Sequence, residues 1–238
     1  MKKILVLSLC FVGIAYSQDF QITVPGKVQV MLISADGRRL GYSQTSDSVY
    51  FEIPNGGYTY GSIGSVDEND TSSPDDFYEL YVNDTGLKGT FRLVIAGMYT
   101  TKYYVDISKG IVNHSASEKH SFIPKGGKEE FLLELGADSM VVTRKLGKET
   151  LRKDLDLAYQ LGELGGKPLY FDLSNRVRKY EEWIQKDDTV KANHELGKLD
   201  KKLDEMYKKT KGPSKDPNHF IKEDAYRILK EDVMGLMK

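Results

Sequence analysis

The 238-residue sequence contains a single cysteine, Cys10, and a single tryptophan, Trp183. Cys10 lies in the apolar segment at the N-terminus, so the rest of the chain offers no disulfide, no cysteine-ligated zinc site and no cysteine nucleophile. We therefore expect the folded part to be stabilised by its apolar core, by a metal ion or by a partner.

The sequence also lacks a strong net charge, and it lacks a long apolar run beyond its first 17 residues. The formal net charge is −1 at pH 7, with 17 acidic against 11 basic residues in 18–144 and 18 against 21 in 145–238. Neither part is basic enough to predict nucleic-acid binding, but their difference predicts two units of different construction. No later segment has the roughly twenty apolar residues of a transmembrane helix, so we predict none in the mature chain.

The first 17 residues have the three parts of a cleavable secretory signal peptide. A short basic stretch comes first, residues 4–14 are almost entirely apolar, and Ala15 and Ser17 place small residues at the −3 and −1 positions of a cleavage site before Gln18. A lipoprotein signal is the alternative, but a leucine precedes the cysteine where a small residue is expected. We therefore predict that the mature protein is secreted or periplasmic.

Two periodicities follow the predicted signal peptide. In residues 18–144, short alternating apolar runs separated by turn residues predict seven or eight antiparallel strands and hence an all-β sandwich. In residues 145–238, apolar residues recur every three or four positions, which predicts a small all-α antiparallel helical bundle. We therefore predict two domains after the signal peptide (1–17). The predicted strands lie at 28–32, 49–53, 77–82, 90–96, 102–107, 121–123, 130–135 and 140–143, and the helical stripes at 151–161, 169–184, 192–206 and 221–236.

The helical half carries paired apolar patterns between residues 169 and 237. These patterns are Leu173-x3-Val177-x2-Tyr180, Ala192-x3-Leu196-x2-Leu199-x3-Leu203 and Ile221-x3-Ala225-x3-Leu229. In this spacing the half resembles the FIMAH-type domain, a small helical module at the C-termini of exported bacterial proteins. The loop at 210–218 departs from the compact pattern of that family. The resemblance implies a helical bundle in an exported protein.

The β half contains four segments in a characteristic order. A Gly-Arg-Arg-x-Gly-Tyr turn lies at 37–42, Glu-Ile-Pro at 52–54, a strand at 78–82, and a Gly-Thr-Phe-Arg-Leu-x-Ile-x-Gly run at 89–97. In this order the half is similar to accessory sandwich modules of exported bacterial proteins. The resemblance implies a role in adhesion, anchoring or positioning, without a catalytic apparatus.

An acidic segment at 67–76 holds five carboxylates and one asparagine. Calcium takes six to eight oxygen ligands of this kind, although the glycine and terminal glutamate of an EF-hand are absent. We therefore consider Ca²⁺ the candidate cofactor, and a solvated acidic loop without a metal is the alternative. The candidate ligands are Asp67, Asn69, Asp70, Asp75 and Asp76.

Tyrosine is abundant, with 15 in the sequence, and it suits surfaces that bind a partner because the ring packs while the hydroxyl stays in water. A set of tyrosines between residues 58 and 104 could form an exposed aromatic face for a protein or a glycan of the cell envelope. Tyr103 and Tyr104 are adjacent, so in a strand they point to opposite faces. The candidate ligand-binding residues are Tyr58, Tyr60, Tyr103 and Tyr104.

The sequence contains no catalytic motif that we can assign. The four histidines lack metal-binding spacing, and neither a Gly-x-Ser-x-Gly elbow nor a phosphate-binding loop is present. We therefore predict a non-catalytic exported binding or scaffold protein of the bacterial envelope or extracellular space. The alternatives are a carbohydrate-binding accessory protein, with tyrosines stacking on sugar rings, and a hydrolase with an unrecognised site.

Overall fold

A computed structural model describes residues 20–43, 45–63, 75–84, 87–110, 115–147, 149–212, 216 and 218–237. Within these ranges the chain forms two antiparallel sheets followed by four helices, which confirms the predicted β-sandwich and helical part. None of the described helices is both long and apolar enough to cross a membrane. The predicted signal peptide and the candidate calcium ligands Asp67, Asn69 and Asp70 lie outside the described residues.

The strands fall into two layers. In chain order they are β1 (Phe20–Pro25), β2 (Val28–Ser34), β3 (Arg39–Ser43), β4 (Ser48–Phe51), β5 (Gly56–Ile63), β6 (Asp75–Val82), β7 (Gly89–Gly97), β8 (Thr101–Lys109), β9 (Ser115–Ile123), β10 (Lys128–Leu135) and β11 (Met140–Arg144). One sheet has the order β5-β6-β1-β8-β9 and the other has the order β11-β10-β7-β2-β3-β4. The edge strands β4 and β5 therefore lie on one lateral side of the sandwich, where they contact each other, and β9 and β11 lie on the opposite side.

Alternating side chains from both sheets fill the space between the layers. Phe20, Ile22 and Val24 of β1 are fully buried, as are Val30 and Leu32 of β2. Removing each such side chain from water contributes about 1.5–3 kcal/mol, which makes this layer the main source of stability in the sandwich. Side chains at the intervening positions of each strand point to the outer face of their sheet.

Three strands were not predicted from the sequence. β1 directly follows the predicted signal peptide, and its Phe-x-Ile-x-Val alternation is only three apolar residues long. β3 is short and interrupted by Gly41. β5 begins at Gly56 and Gly57, a residue type that is common in turns, and the preceding turn closes with the Gly56 amide donating to the Ile53 carbonyl.

The helices follow the predicted stripes closely. They are α1 (Thr150–Gln160), α2 (Lys167–Gln185), α3 (Thr189–Lys211) and α4 (Glu223–Leu236). Asp188 caps α3, since its side chain accepts a hydrogen bond from the Lys191 amide at 3.0 Å. Ile221, the first residue of the predicted stripe of the last helix, lies before α4 and forms a β-bridge with Leu164.

The helical part packs directly on the sandwich. α1 and α4 both contact β9, the edge strand farthest from β5 in its sheet. Phe122 of β9 is fully buried, and it packs in the helical core rather than between the two sheets. The helices therefore cover the lateral side formed by β9 and β11, while the side formed by β4 and β5 lies across the sandwich from them.

Candidate functional site

A buried ionic network joins the helices to the sandwich. Arg144, at the end of β11, donates to Glu129 Oε1 at 2.8 Å, to Asp154 Oδ2 at 2.7 Å and to Asp232 Oδ1 at 2.8 Å. The side chains of Arg144 and its three partners are at most 7% exposed. Because Glu129 lies on β10, Asp154 on α1 and Asp232 on α4, this single guanidinium connects the sandwich to two helices.

Glu129 receives further hydrogen bonds from the sandwich itself. Tyr103 donates its hydroxyl to Glu129 Oε2 at 2.7 Å, and Ser121 donates to the same oxygen at 2.6 Å. Lys153 of α1 also pairs with Glu129. Burial alone would raise the pKa of Glu129, but the charges of Arg144 and Lys153 outweigh burial and lower this pKa below its ordinary value.

The two aspartates of the network behave differently from Glu129. Burial, together with the neighbouring charge of Asp154, raises the pKa of Asp232 well above its usual range. Burial also raises the pKa of Asp154, against the opposing effect of Arg144. Three carboxyl groups face two cations here, so a proton on Asp232 balances the charge. These groups are buried beneath α1 and α4. The network therefore holds the helices on the sandwich and does not form a ligand-binding surface.

Beside this network, a groove of about 380 Å³ lies between β8, β9 and α4. Tyr104 lines it, is 41% exposed, and has its ring 6.0 Å from the ring of His120. His120 pairs with Glu118 at 2.6 Å, and Lys102 donates to Asp224 at 2.7 Å. The charged groups of the groove therefore pair mainly with one another.

A second groove, of about 600 Å³, lies between α1 and α2. Arg152 crosses it with a bidentate pair to Glu181, at 2.7 and 2.6 Å. Tyr180 and Ile184 supply its apolar wall. The Arg152–Glu181 pair occupies the polar side of this groove.

The four candidate tyrosines do not form one surface. Tyr103 is 4% exposed and donates to Glu129, so its burial takes it out of the predicted ligand-binding face. Tyr104 points to the opposite side of β8, as expected for adjacent strand residues, and lines the groove beside α4. Tyr58 and Tyr60 lie together on β5, with their rings 6.1 and 5.1 Å from that of Tyr78.

Exposed apolar side chains lie on the lateral side formed by β4 and β5. Val49 and Phe51 of β4 are 44% and 60% exposed, and Tyr60 of β5 is 55% exposed. Phe51 pairs across the sheet with buried Leu40, and Tyr60 pairs with buried Tyr78. Cross-strand partners lie on the same face of a sheet, so Phe51 and Tyr60 lie on the inner faces of their sheets. At the open edge of the sandwich these inner faces are exposed to solvent. We call Val49, Phe51 and Tyr60 the edge surface.

A second aromatic feature lies on the outer face of the β5–β6 pair. A Cβ atom on Gly57 would overlap ring atoms of Tyr81, and a Cβ atom on Gly61 would overlap ring atoms of Phe77. Each ring therefore lies against the backbone of β5 at a residue without a side chain. We call Phe77 and Tyr81, seated on these two glycines, the aromatic platform.

Sequence reasoning did not identify the platform. The sequence signal of the platform is an aromatic-x3-aromatic spacing on one strand and a Gly-x3-Gly spacing on its neighbour. The two spacings are related only through the register, which pairs Gly57 with Tyr81 and Gly61 with Phe77. The pairing of β5 with β6 cannot be read from either segment alone.

The candidate calcium residues are only partly within the described chain. Asp75 and Asp76 form the start of β6, where they pair with Ile63 and Ser62 of β5. In the parts of the chain that the structure describes, no three His, Cys, Asp or Glu side chains group as a metal site. The calcium site therefore stays a prediction.

Comparison with known proteins adds no relative. No protein-family model matches this chain, and searches of curated proteins and of solved structures found no match either.

Proposed function

We propose that this chain is an exported, non-catalytic binding module of the bacterial envelope or extracellular space, and that its sandwich holds the contact surface for a protein partner. The observation that carries the proposal is the edge surface, on which Val49, Phe51 and Tyr60 expose between 44% and 60% of their area. Large apolar side chains exposed on one side of a domain are typical of interaction sites.

The position of the edge surface supports this proposal. The helical part covers the β9–β11 side, while the edge surface lies on the β4–β5 side across the sandwich. A partner bound at β4 and β5 would therefore not have to displace α1 or α4. Tyr60 and Phe51 are also residue types that supply much of the binding energy in protein interfaces.

The chemistry around the edge surface favours a rigid contact. The ring of Tyr60 packs on Tyr78, and Tyr58 packs on Tyr78 in turn. On the other face of β4, the guanidinium of Arg39 lies 3.6 Å from the ring centre of Tyr50 and forms an ion pair with Glu52 at 2.7 Å. These contacts limit the rearrangement that binding would require.

The test compares wild-type protein with a Val49→Ser, Phe51→Ser, Tyr60→Ser variant. Both proteins are used to capture and titrate envelope proteins of the native organism. The matched control is Phe171→Ser with Val190→Ser, which removes two exposed apolar side chains from the helical part. Because all five positions are exposed, stability should change little.

We expect the edge variant to lose at least tenfold in affinity for the captured protein, about the effect of losing one interface anchor, while the control binds like wild type. A captured protein that binds wild type and the folded edge variant equally well would contradict the proposal.

A second candidate function is carbohydrate binding by an exported accessory protein. The aromatic platform favours this function, because the faces of aromatic side chains stack on the apolar faces of sugar rings. A glycan array probed with the full mature protein tests this candidate, and uniformly negative results would exclude it.

A further inference from the structure

The two platform rings lie on the outer face of the sheet. Tyr81 lies over Gly57 and Phe77 lies over Gly61, each with ring atoms in the space that a Cβ atom of the glycine would take. Both residues are half-buried, which leaves part of each ring accessible from outside. A ring seated in this way is already in a fixed orientation, and a ligand that stacks on it would not have to order it.

The rings are separated by a polar centre. Tyr81 and Phe77 are four residues apart on β6, a distance of about 13 Å at the usual strand rise. Glu79 lies between them on the same face, and Gln21 of the neighbouring β1 donates to Glu79 Oε1 at 2.7 Å. Thr23 lies opposite Glu79 in the register of β1 and β6. The surface therefore alternates aromatic, polar and aromatic along β6.

We propose that the aromatic platform binds an uncharged oligosaccharide, with separate sugar rings stacking on Tyr81 and Phe77 and hydroxyl groups of the intervening chain hydrogen-bonding to Glu79 and Gln21. This inference rests on the proposed function in its carbohydrate-binding form. A sugar ring has an apolar face of C–H groups and a polar edge of hydroxyls, which matches aromatic faces separated by a carboxylate and an amide.

The spacing and charge of the platform define the class of glycan. One monosaccharide is much shorter than the distance between the two rings, so contact with both requires an oligosaccharide. Glu79 and, two strands away, Asp106 place negative charge on this face, since Thr23 of β1 pairs with both residues. An anionic polysaccharide would be repelled by this charge. The helices contact β9, at the far end of the same sheet.

The test uses calorimetric titration of the full mature protein with neutral oligosaccharides of increasing length and with an anionic polysaccharide. The two platform variants are Tyr81→Leu and Phe77→Leu, because leucine still covers the glycine beneath it. The controls are Tyr104→Leu, in the groove beside α4, and Tyr60→Leu, in the edge surface. Far-UV circular dichroism and melting temperature establish that each variant is folded.

We expect a neutral oligosaccharide to bind wild type, with affinity rising as the chain lengthens enough to reach both rings. Tyr81→Leu and Phe77→Leu should each weaken binding roughly tenfold, and the two control variants should bind like wild type. The platform assignment is overturned if a neutral glycan binds a platform variant as tightly as wild type, if only the anionic polysaccharide binds, or if no glycan binds.

The outcomes separate this inference from the proposed function. If no glycan binds but the edge variant loses a captured protein, the platform assignment fails and the binding module stands. If a glycan binds and only the Tyr60→Leu or Tyr104→Leu variant loses it, the platform assignment fails while carbohydrate binding stands. If neither a glycan nor an edge-dependent protein partner binds, both proposals fail.

Discussion

At the scale of single residues, Asp232 determines how the buried network depends on pH. Its Oδ1 accepts from Arg144 at 2.8 Å, while Oδ2 is buried without a hydrogen-bond partner among the described residues. A proton on Oδ2 would let this oxygen donate to the neighbouring Asp154. Burial and the charge of Asp154 raise the pKa of Asp232 in the same direction, in favour of the protonated form.

The consequence is a loss of stability as pH rises. In the unfolded chain Asp232 ionises near its ordinary pKa, about 3.9, whereas in the folded protein it keeps its proton to higher pH. Between these two pKa values the folded state binds more protons than the unfolded state, so the free energy of unfolding falls with increasing pH. The total fall in the free energy of unfolding is about 1.4 kcal/mol for each pKa unit that separates the folded from the unfolded value.

Asp232→Asn should remove this dependence. The amide carbonyl keeps the bond to Arg144, and the NH2 group replaces the protonated oxygen facing Asp154. We expect the stability of the variant relative to wild type to increase as pH rises from 4.5 to 8, measured by urea unfolding at each pH. Because its pKa is lowered, Glu129 contributes a stabilisation that is lost as pH falls. This contribution is present in both proteins and largely cancels when the variant is compared with wild type.

Asp232→Ala is the matched control. It leaves the Arg144 charge with one partner fewer in a buried site and should destabilise the protein by roughly 3 kcal/mol at pH 4.5. Because alanine also lacks the titrating carboxyl, the stability of this variant relative to wild type should rise with pH as it does for Asp232→Asn, from this lower starting value. Stability curves of wild type and Asp232→Asn that run parallel from pH 4.5 to 8 would show that the proton is not held at Asp232.

The acidic segment gives a second prediction at this scale. If residues 67–76 bind calcium, millimolar Ca²⁺ should raise the melting temperature, because an ion that binds only the folded state stabilises it. Asp67→Ala with Asp70→Ala should abolish the rise, and Mg²⁺ provides the control for ionic strength. No shift in millimolar Ca²⁺ would rule out the calcium site.

At the scale of secondary-structure elements, the helices were easier to predict than the strands. The stripe from Ala192 to Met206 lies on the buried face of α3 because its three- and four-residue spacing repeats over several turns. β9 was predicted only at 121–123, yet it runs from Ser115 because its polar half pairs with β8 up to Lys109. Such pairing depends on the neighbouring strand, and the hydrophobic pattern of the segment does not reveal it.

The same reasoning explains which site residues were predictable. Tyr60 was a candidate because tyrosine is a residue type suited to surfaces, and its side chain is exposed on β5. Tyr103 was misassigned because its burial depends on Glu129, which lies in the opposite sheet. Phe77 was missed because its position depends on Gly61 in the adjacent strand. Composition indicates which residue types could form a site. Strand register and the packing of the two sheets determine which of these side chains come into contact.

The contacts between elements predict cooperative unfolding. Phe122 of the sandwich packs in the helical core, and Arg144 connects β11 with α1 and α4. Trp183 is the only tryptophan and lies on α2, so its fluorescence reports on the helical part alone. We expect its unfolding transition in urea to coincide with that of the tyrosine near-UV circular dichroism, to which the sandwich contributes nine tyrosines and the helical part five.

Phe122→Ala and Arg144→Met test this coupling. Phe122→Ala should destabilise the protein by about 3–5 kcal/mol and lower the midpoints of both signals together. Arg144→Met removes the central cation and should separate the two transitions or lower both. Two widely separated transitions in wild type would show that the sandwich and the helices unfold independently.

At the scale of the whole molecule, the predicted cleavage site is compatible with the fold. Cleavage before Gln18 would leave two residues ahead of β1, whose first residue, Phe20, is fully buried in the core. β1 is central in its sheet, between β6 and β8, so a cut inside it would remove core side chains.

Mass spectrometry of the protein from its native organism tests this prediction. We expect a mature N-terminus at Gln18 and recovery in the periplasmic or extracellular fraction. A protein that retains Met1 and stays in the cytoplasmic fraction would contradict export.

The whole molecule therefore has one lateral side covered by the helices and an opposite side with exposed apolar side chains. The helices and the Arg144 network cover the β9–β11 side, while Val49, Phe51 and Tyr60 lie exposed on the β4–β5 side. In this arrangement the helical part stabilises the sandwich from one side, and the proposed partner contacts it from the other.

Site-specific photo-crosslinking in the native envelope tests whether a partner contacts the β4–β5 side of the molecule. Benzoylphenylalanine is placed at Tyr60 in one protein and at Phe171, an equally exposed aromatic position on α2, in another. We expect a discrete crosslinked product from position 60 and none from position 171. A product of equal yield from both positions, or from position 171 alone, would contradict it.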